Sequence, residues 1–149
     1  MSIKAAFAHL STALPDDEEI ADWLAVYFPP GAALSIFGGH DSGQINDDEL
    51  PAVMVGEGPA ELTPGTLCTL DAAVELVLRV IWKEPAPAIG FDALLSLFDI
   101  LPRAIMRNRT MGDSVNDSWI RNVQRDASEQ PTYIVRADLR LNYELRTET

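Results

Sequence analysis

The chain has 149 residues, 47% of them hydrophobic and 23% charged, and its formal net charge is −12. This length and composition are typical of one globular domain that buries its own hydrophobic core, so we interpret residues 1–149 as a single domain. The acidic balance disfavours general binding to nucleic-acid phosphates, and the apolar stretches are too short to span a membrane.

Two amphipathic helices are predicted at the start of the chain. Ile3, Phe7 and Leu10 recur at helical spacing and indicate the first helix. The acidic residues 16–19 follow a proline and favour a second helix start, because negative charge complements the positive end of the helix dipole. An apolar stripe over residues 20–28 then ends at a Pro-Pro-Gly sequence.

The middle of the chain has the pattern of three strands. Two short strands are predicted at 32–37 and 50–55, separated by a loop at 38–49 that is rich in Gly, Asp and Asn. Residues 56–65 are rich in turn-forming residues. A long alternating pattern at 67–83 predicts a strand whose second face is mixed in polarity and therefore partly covered.

A helix and two strands are predicted in the last third. The helix covers about 90–109, and Pro102 should kink or interrupt it because proline removes a helix hydrogen bond. A strand is predicted at 118–126. Residues 132–146 alternate strictly between apolar and polar, which indicates a long strand with one buried face. Strands adjacent in sequence should pair antiparallel with helices on one side, which is an α+β fold.

The polar face of that last strand carries charges of alternating sign. Its charged members include Arg136, Asp138, Arg140 and Glu144. Two interpretations are open: ion pairs with neighbouring strands, or a self-complementary interface between subunits. The basic residues after position 102 are all arginines, among them Arg107 and Arg109 at the predicted helix end, and arginine suits protein interfaces better than lysine does.

The residue types that carry chemistry are scattered. His9, His40 and the single cysteine, Cys68, lie too far apart to resemble a metal-ligand motif. A nucleophile elbow and a phosphate-binding loop are absent from the sequence. Trp119, Arg121 and Arg125 alternate on one face of a predicted strand, where they would hold an anion or, in the preferred interpretation, form structural ion pairs. We therefore predict a protein without a cofactor or metal that is not an enzyme.

The order of patterns resembles the tail terminator, or tail-completion, proteins of long-tailed bacteriophages. The resemblance covers roughly residues 45–146 and rests on four segments: the acidic loop and Leu-Pro-Ala-Val strand at 47–55, the long strand at 75–82, the helix from Phe91, and the closing strand at 132–145. The first helix also fits. The second helix-like stripe, within residues 11–31, makes the N-terminal part longer than is usual in that family.

This resemblance implies a virion protein of the tail or neck, assembled in the cytoplasm of a bacterial host. Such proteins form a ring, usually of six subunits, that sits on the tail tube, stops its growth and provides the surface that joins the head. The implied partners are further copies of the chain, the major tail tube protein and a head-completion or connector protein. DNA passes through the channel without specific binding.

The interface residues implied by this interpretation fall into three groups. The polar face of the last strand supplies one ring contact, and the acidic loop Asp47, Asp48 and Glu49 supplies another surface, for the tube. Arg107 and Arg109 complete the set. Two alternatives stay open: another neck component such as a head–tail adaptor, or a small ligand-binding α+β domain with a deep pocket lined by polar groups.

Overall fold

The computed structural model of the chain describes residues 2–39 and 44–146, so His40 lies outside the described residues. The α+β class is confirmed, with three helices and a five-stranded sheet. The helices are α1 (Ile3–Ala13), α2 (Glu18–Tyr27) and α3 (Pro87–Met106). The strands are β1 (Ser35–Gly38), β2 (Ala52–Pro64), β3 (Thr69–Lys83), β4 (Asp117–Arg125) and β5 (Thr132–Arg146).

The strand order in the sheet is β1-β2-β3-β5-β4. Three of the four neighbouring pairs are antiparallel, as expected. The exception is β1, which pairs parallel to β2 through Ser35↔Ala52 to Gly38↔Val55, so the prediction that sequence neighbours pair antiparallel is wrong there. The long connection between the two strands allows the chain to return before it re-enters the sheet, whereas a tight hairpin would force an antiparallel pair.

The three helices pack on one face of the sheet. The alternation of β5 places Val135, Ala137, Leu139 and Leu141 on this face, and each of them is fully buried. The same cluster contains buried residues of all three helices. At one end of the core, Trp82 stacks on Tyr133 at 5.7 Å between ring centroids. Burial of this face is the main source of folding free energy, because buried apolar area stabilises by about 25 cal/mol per Å².

Among the described residues, a loop covers one end of the opposite face of the sheet. Ile81 and Ile134 are buried there together with Ile45, and Leu50 packs against them. These last two residues belong to the segment that leads into β2. The prediction that the second face of β3 is partly covered is therefore confirmed, and the cover is a loop.

The largest difference from the sequence prediction lies in β2. Residues 56–64 were expected to form turns, yet the strand continues to Pro64 with one register irregularity between Glu57 and Ala60. The long partner β3 supplies hydrogen bonds along this whole length, and β1 pairs with β2 only as far as Val55. Proline is tolerated in a strand that has neighbours on one side only, so Pro59 does not end it.

Smaller differences concern element ends. The first strand begins three residues later than predicted, at Ser35. The main helix begins at Pro87, where a proline is favourable because the first helical N–H has no partner inside the helix. It also continues through Pro102 to Met106, so the expected interruption does not occur. The three residues Asp47–Glu49 form a short 3-10 helix inside the predicted loop.

Candidate functional site

The candidate site is the part of the sheet that no described helix covers, which we call the open face. It is formed by the outward residues of β3, β4 and β5, since successive side chains of a strand point to opposite faces. Its charged residues among the described strands include Glu75, Arg79, Arg121, Arg136, Asp138 and Arg140. Strands β3 and β5 pair with each other, antiparallel and in register over 15 residues, so these side chains lie side by side.

Ion pairs connect the centre of the open face. The Arg136 Nε donates to Asp138 Oδ1 at 2.8 Å along the same strand. Arg121 on β4 pairs with Glu75 on β3, whose residue is only 6% exposed. A nearly buried carboxylate is stable when an oppositely charged group pairs with it, so the fold requires this ion pair. Hydrogen bonding to the neighbouring carboxylate raises the pKa of both Arg121 and Arg136.

A second group of contacts lies further along β5. The Arg140 guanidinium lies 3.4 Å from Glu61 Oε2 and 5.9 Å from the centroid of the Trp119 ring. Glu61 is still 75% exposed in its side chain. Beyond them, Glu144 stands directly opposite Asp71 of β3, and both carry negative charge. Like charges facing each other across strands destabilise the pair, so this end of the face favours a cationic contact.

The three residues that were predicted to share one face of β4 do not do so. They are Trp119, Arg121 and Arg125. Trp119 lies opposite Arg140 and Arg121 reaches Glu75, so both are on the open face. A register irregularity between Ile120 and Asn122 then shifts the alternation, and Arg125 lies opposite Val135, above the ring of Tyr133 on the helix-covered side. The three side chains therefore do not converge on an anion.

The edge of the open face beside β4 contains one more pair. Arg79 Nε donates to Asp126 Oδ2 at 2.7 Å, and both side chains are about one-third exposed. The Arg79 hydrogen bond lowers the pKa of Asp126. Because Asp126 directly follows β4, this pair links the end of β4 to Arg79 of β3 across the intervening strand β5.

The acidic turn at Asp47–Glu49 lies at the end of the strands that is opposite to the Asp71–Glu144 pair. Lys83 Nζ, at the end of β3, binds Asp47 Oδ1 at 2.7 Å. The Glu49 carboxylate accepts the backbone N–H of Asn46 at 2.9 Å and so caps the turn. Two of the three predicted tube-binding acids therefore have an internal role, and Asp48 is exposed.

The predicted interface arginines at the end of α3 bind other parts of the same chain. Arg107 donates to Asp17 and Glu19 at the start of α2, and Arg103 donates to Glu19 at 2.7 Å. Hydrogen bonds from Arg103 and Arg107 lower the pKa of Glu19 to about 2. Arg109 pairs with Asp117 at the start of β4 and lowers its pKa. These arginines join α3 to α2 and to the sheet.

The nine predicted interface residues thus occupy three separate regions. Four of them, on β5, share the open face; the acidic turn lies at one end of the strands; and Arg107 and Arg109 lie at the end of α3. The sequence prediction missed Glu61, Glu75 and Arg79 on the open face, and it named Trp119 and Arg121 only as residues that would hold an anion or form ion pairs. The alternation of Glu75 and Arg79 along β3 is a signal that would have found two of them.

The ligand-binding and metal-binding possibilities have little support in the described residues. A depression of about 650 Å³ beside α2 is lined by Asp17, Glu19 and Arg107, and these three already bind one another. Within residues 2–39 and 44–146, no group of three or more His, Cys, Asp or Glu is placed to hold a metal ion. His9 Nε2 lies 3.0 Å from Asn108 Oδ1.

Comparisons with known proteins give distant structural similarity alone. No protein-family model matches the chain, and no curated protein matches it. A chain in the solved structure titled "Virion of native gene transfer agent (GTA) particle" is similar, with a TM-score of 0.44 and 14% identity over 95% of this chain and 93% of that chain. Similarity at this level carries no argument about function. None of the described helices is long and apolar enough to cross a membrane.

Proposed function

We propose that this protein is a structural component of a phage-like virion that forms a ring on the end of the tail tube. The ring, of six subunits by resemblance to tail terminators, stops polymerisation of the tube and presents the surface that joins the head. Its partners are further copies of the chain, the major tail tube protein and a head connector protein. The function needs surface complementarity only, so no cofactor is involved.

The observation that carries this proposal is the open face. A strand of 15 residues, β5, exposes a row of charges of alternating sign on the side that no described helix covers. The Arg140 and Trp119 side chains on this face are 26% and 39% exposed, so they remain available to a neighbour. Charges of both signs in fixed positions give an interface its register and suppress wrong partners.

The net charge suits passage of DNA through such a ring. The chain carries −12 overall, and like-charge repulsion keeps the DNA backbone from adhering to a channel lined by acidic subunits. A closed ring requires two different contacting faces related by a rotation. The open face is our candidate for one of them.

Charge reversal on β5 tests the ring contact. In Arg136→Glu/Arg140→Glu, the row of alternating charges becomes uniformly negative from residue 136 to 144, and we expect the ring to dissociate to monomers in multi-angle light scattering at low salt. Lys4→Glu/Arg103→Glu is the matched control, since it makes the same change of charge away from the open face. An intact ring in the first variant would remove the open face from the proposal.

The acidic turn is tested by its exposed member. We expect Asp48→Ser to weaken capping of tail tubes in an assay of tube length, while the Lys83–Asp47 ion pair and the Glu49 cap keep the turn folded. Asp113→Ser changes the same charge elsewhere and should cap normally. If tubes are capped equally by both variants, the turn does not contact the tube.

Binding to separate parts of the particle tests the role itself. A tail terminator binds isolated tail tubes, whereas a head–tail adaptor binds portal rings. We expect the wild-type protein to co-sediment with tubes and to arrest their growth. Co-sedimentation with portal rings alone would replace the terminator role by that of an adaptor.

A further inference from the structure

The end of the β2–β3 hairpin extends beyond the helices that cover the rest of the sheet. We call residues 57–71 the β2–β3 arm. Residues 52–55 of β2 are all buried, whereas none of residues 57–71 is buried. The arm therefore stabilises the monomer little, although it is long and its strands are regularly paired.

Two leucines on the arm are exposed to solvent. Leu67, at the tip, is 99% exposed, and Leu62 is 59% exposed. The tip is held in one shape, because Gly65 N–H donates to Thr69 O at 3.2 Å and Thr66 N–H donates to Thr69 Oγ1 at 2.8 Å. A rigid turn that presents an apolar side chain binds a partner without a large entropic cost.

The arm is not built to add a strand to another sheet. The outer edge of β2 beyond Val55 has no neighbouring strand among the described residues. Pro59 and Pro64 lack the N–H that strand pairing needs, and charged residues and prolines on an edge oppose pairing. Contact through the side chains of the tip is the remaining mode.

The charges of the arm indicate the chemistry of its partner. Residues 57–71 contain the acids Glu57, Glu61 and Asp71 and no lysine or arginine. Asp71 also faces Glu144 across the strands. Two arginines lie near these acids: Arg140 contacts Glu61, and Arg146, the last residue of β5, lies opposite Thr69. The acidic residues therefore remain in excess. A surface with an apolar recess and a rim of lysine or arginine complements this arm.

A second copy of this chain does not offer such a surface. Within the described residues, eight of the 11 basic residues form internal ion pairs, namely Arg79, Lys83, Arg103, Arg107, Arg109, Arg121, Arg136 and Arg140. Two of them, Arg136 and Arg140, lie on the open face, which the proposed ring contact already uses. Each copy also carries a net charge of −12, which opposes contact through acidic segments.

We therefore infer that the β2–β3 arm docks on a different protein of the particle, by inserting Leu67 and Leu62 into an apolar recess with a basic rim. This inference rests on the proposed function for the setting of the contact. In this arrangement the open face makes the contact between copies, and the arm joins the ring to the neighbouring protein of the particle.

Paired variants test the arm. Leu62→Ser/Leu67→Ser removes the apolar contact, and Val26→Ser/Leu95→Ser is the matched control because these side chains are 71% and 46% exposed outside the arm. The probes are tail tubes and head connectors purified from the same particle. We expect the arm variant to keep its ring mass and to bind one of the two probes at least about tenfold more weakly, as loss of a buried leucine predicts.

A second pair tests the charge. We expect Glu57→Gln/Asp71→Asn to weaken the same binding and to reduce its dependence on salt between about 50 and 500 mM NaCl, a range over which the Debye length shortens from about 14 Å to about 4 Å. Asp16→Asn/Asp22→Asn should leave both unchanged. A photo-crosslinker on Cys68, next to Leu67, should produce an adduct with the partner protein.

The outcomes separate this inference from the proposed function. Loss of the ring in the arm variant, or a crosslink between two copies, would overturn the inference by assigning the arm to a second copy. Equal binding by the arm variant and its control would also overturn it, while capping by the wild type still supported the terminator role. Arm-dependent binding to connectors without tube capping would support the inference about the arm and would overturn the terminator role.

Discussion

The two faces of the sheet are made by the same strands and differ in what they contribute. On the helix-covered face, β5 presents apolar side chains that are fully buried, such as Leu139 and Val135. On the open face, the same strand presents Arg136, Asp138 and Arg140, which are partly exposed and paired. Burial on the covered face therefore stabilises the fold. The residues of the open face are not needed for the core, so they can serve contact with other molecules.

The largest expected effect comes from a change on the covered face. Leu139→Ala creates a cavity in a core position that is 0% exposed, and we expect a loss of about 3 kcal/mol in the free energy of unfolding. Arg136→Gln, three residues away on the open face, should cost less, about 1 kcal/mol, because a partly exposed ion pair contributes little and the change leaves no cavity in the core. Urea denaturation of both variants measures the contrast, and equal losses would contradict it.

A change at the contact between α3 and β5 should have the next largest effect. A Cβ added at Gly90 would lie 2.3 Å from Tyr133 Cζ, and the Tyr133 ring cannot move easily because it stacks on Trp82. We expect Gly90→Ala to lower the free energy of unfolding by about 2 kcal/mol. Gly56→Ala is the control, since its Cβ meets no atom within 4 Å, and a similar loss there would contradict the packing argument.

A smaller effect is expected at the ion pairs that join α3 to α2. Arg107→Gln removes the guanidinium that binds Asp17, whose side chain is only 7% exposed and caps the start of α2. We expect a loss of about 1 kcal/mol in thermal or urea unfolding. Arg109→Gln, in a pair whose side chains are 63% and 35% exposed, should cost less. The reverse order would contradict the role of burial in this pair.

The smallest effect is a dependence on pH. Arg103 and Arg107 lower the pKa of Glu19 from 4.5 to about 2 in the folded protein. A carboxyl with a depressed folded pKa stabilises the protein above its unfolded pKa, and this stabilisation is lost as the pH falls from 4.5 towards 2. Arg103→Gln/Arg107→Gln should therefore show a shallower loss of stability in that window. Parallel curves for variant and wild type would contradict the assignment.

Where local pattern decides the structure, the sequence is informative. The strict alternation at 132–146 predicted β5 to the residue, and it also predicted the buried face, except that Ile134 on the opposite face is buried by a loop. The helical stripes predicted α1 and α2 in the same way. In these segments one periodicity accounts for both the local conformation and the buried face.

Where distant partners decide, the same signals fail. The prolines and glycines of 56–64 predicted turns, yet the register with β3 keeps this segment in the sheet. The parallel pairing of β1 depends on the path of a connection that has no strong pattern. The pairs Arg121–Glu75 and Arg107–Asp17 join residues 46 and 90 positions apart, so sequence spacing gives no indication of them.

The positions of the three tryptophans give the two faces different optical properties. Trp23 and Trp82 are buried in edge-to-face contact at 5.3 Å, and Trp82 Nε1 has no hydrogen-bond acceptor among the described residues. Their emission should lie at short wavelength and resist quenching by acrylamide. Trp119 is 39% exposed on the open face and should account for the quenchable, longer-wavelength part. The unlabelled protein thus contains its own fluorescent reporter of whether its open face is covered.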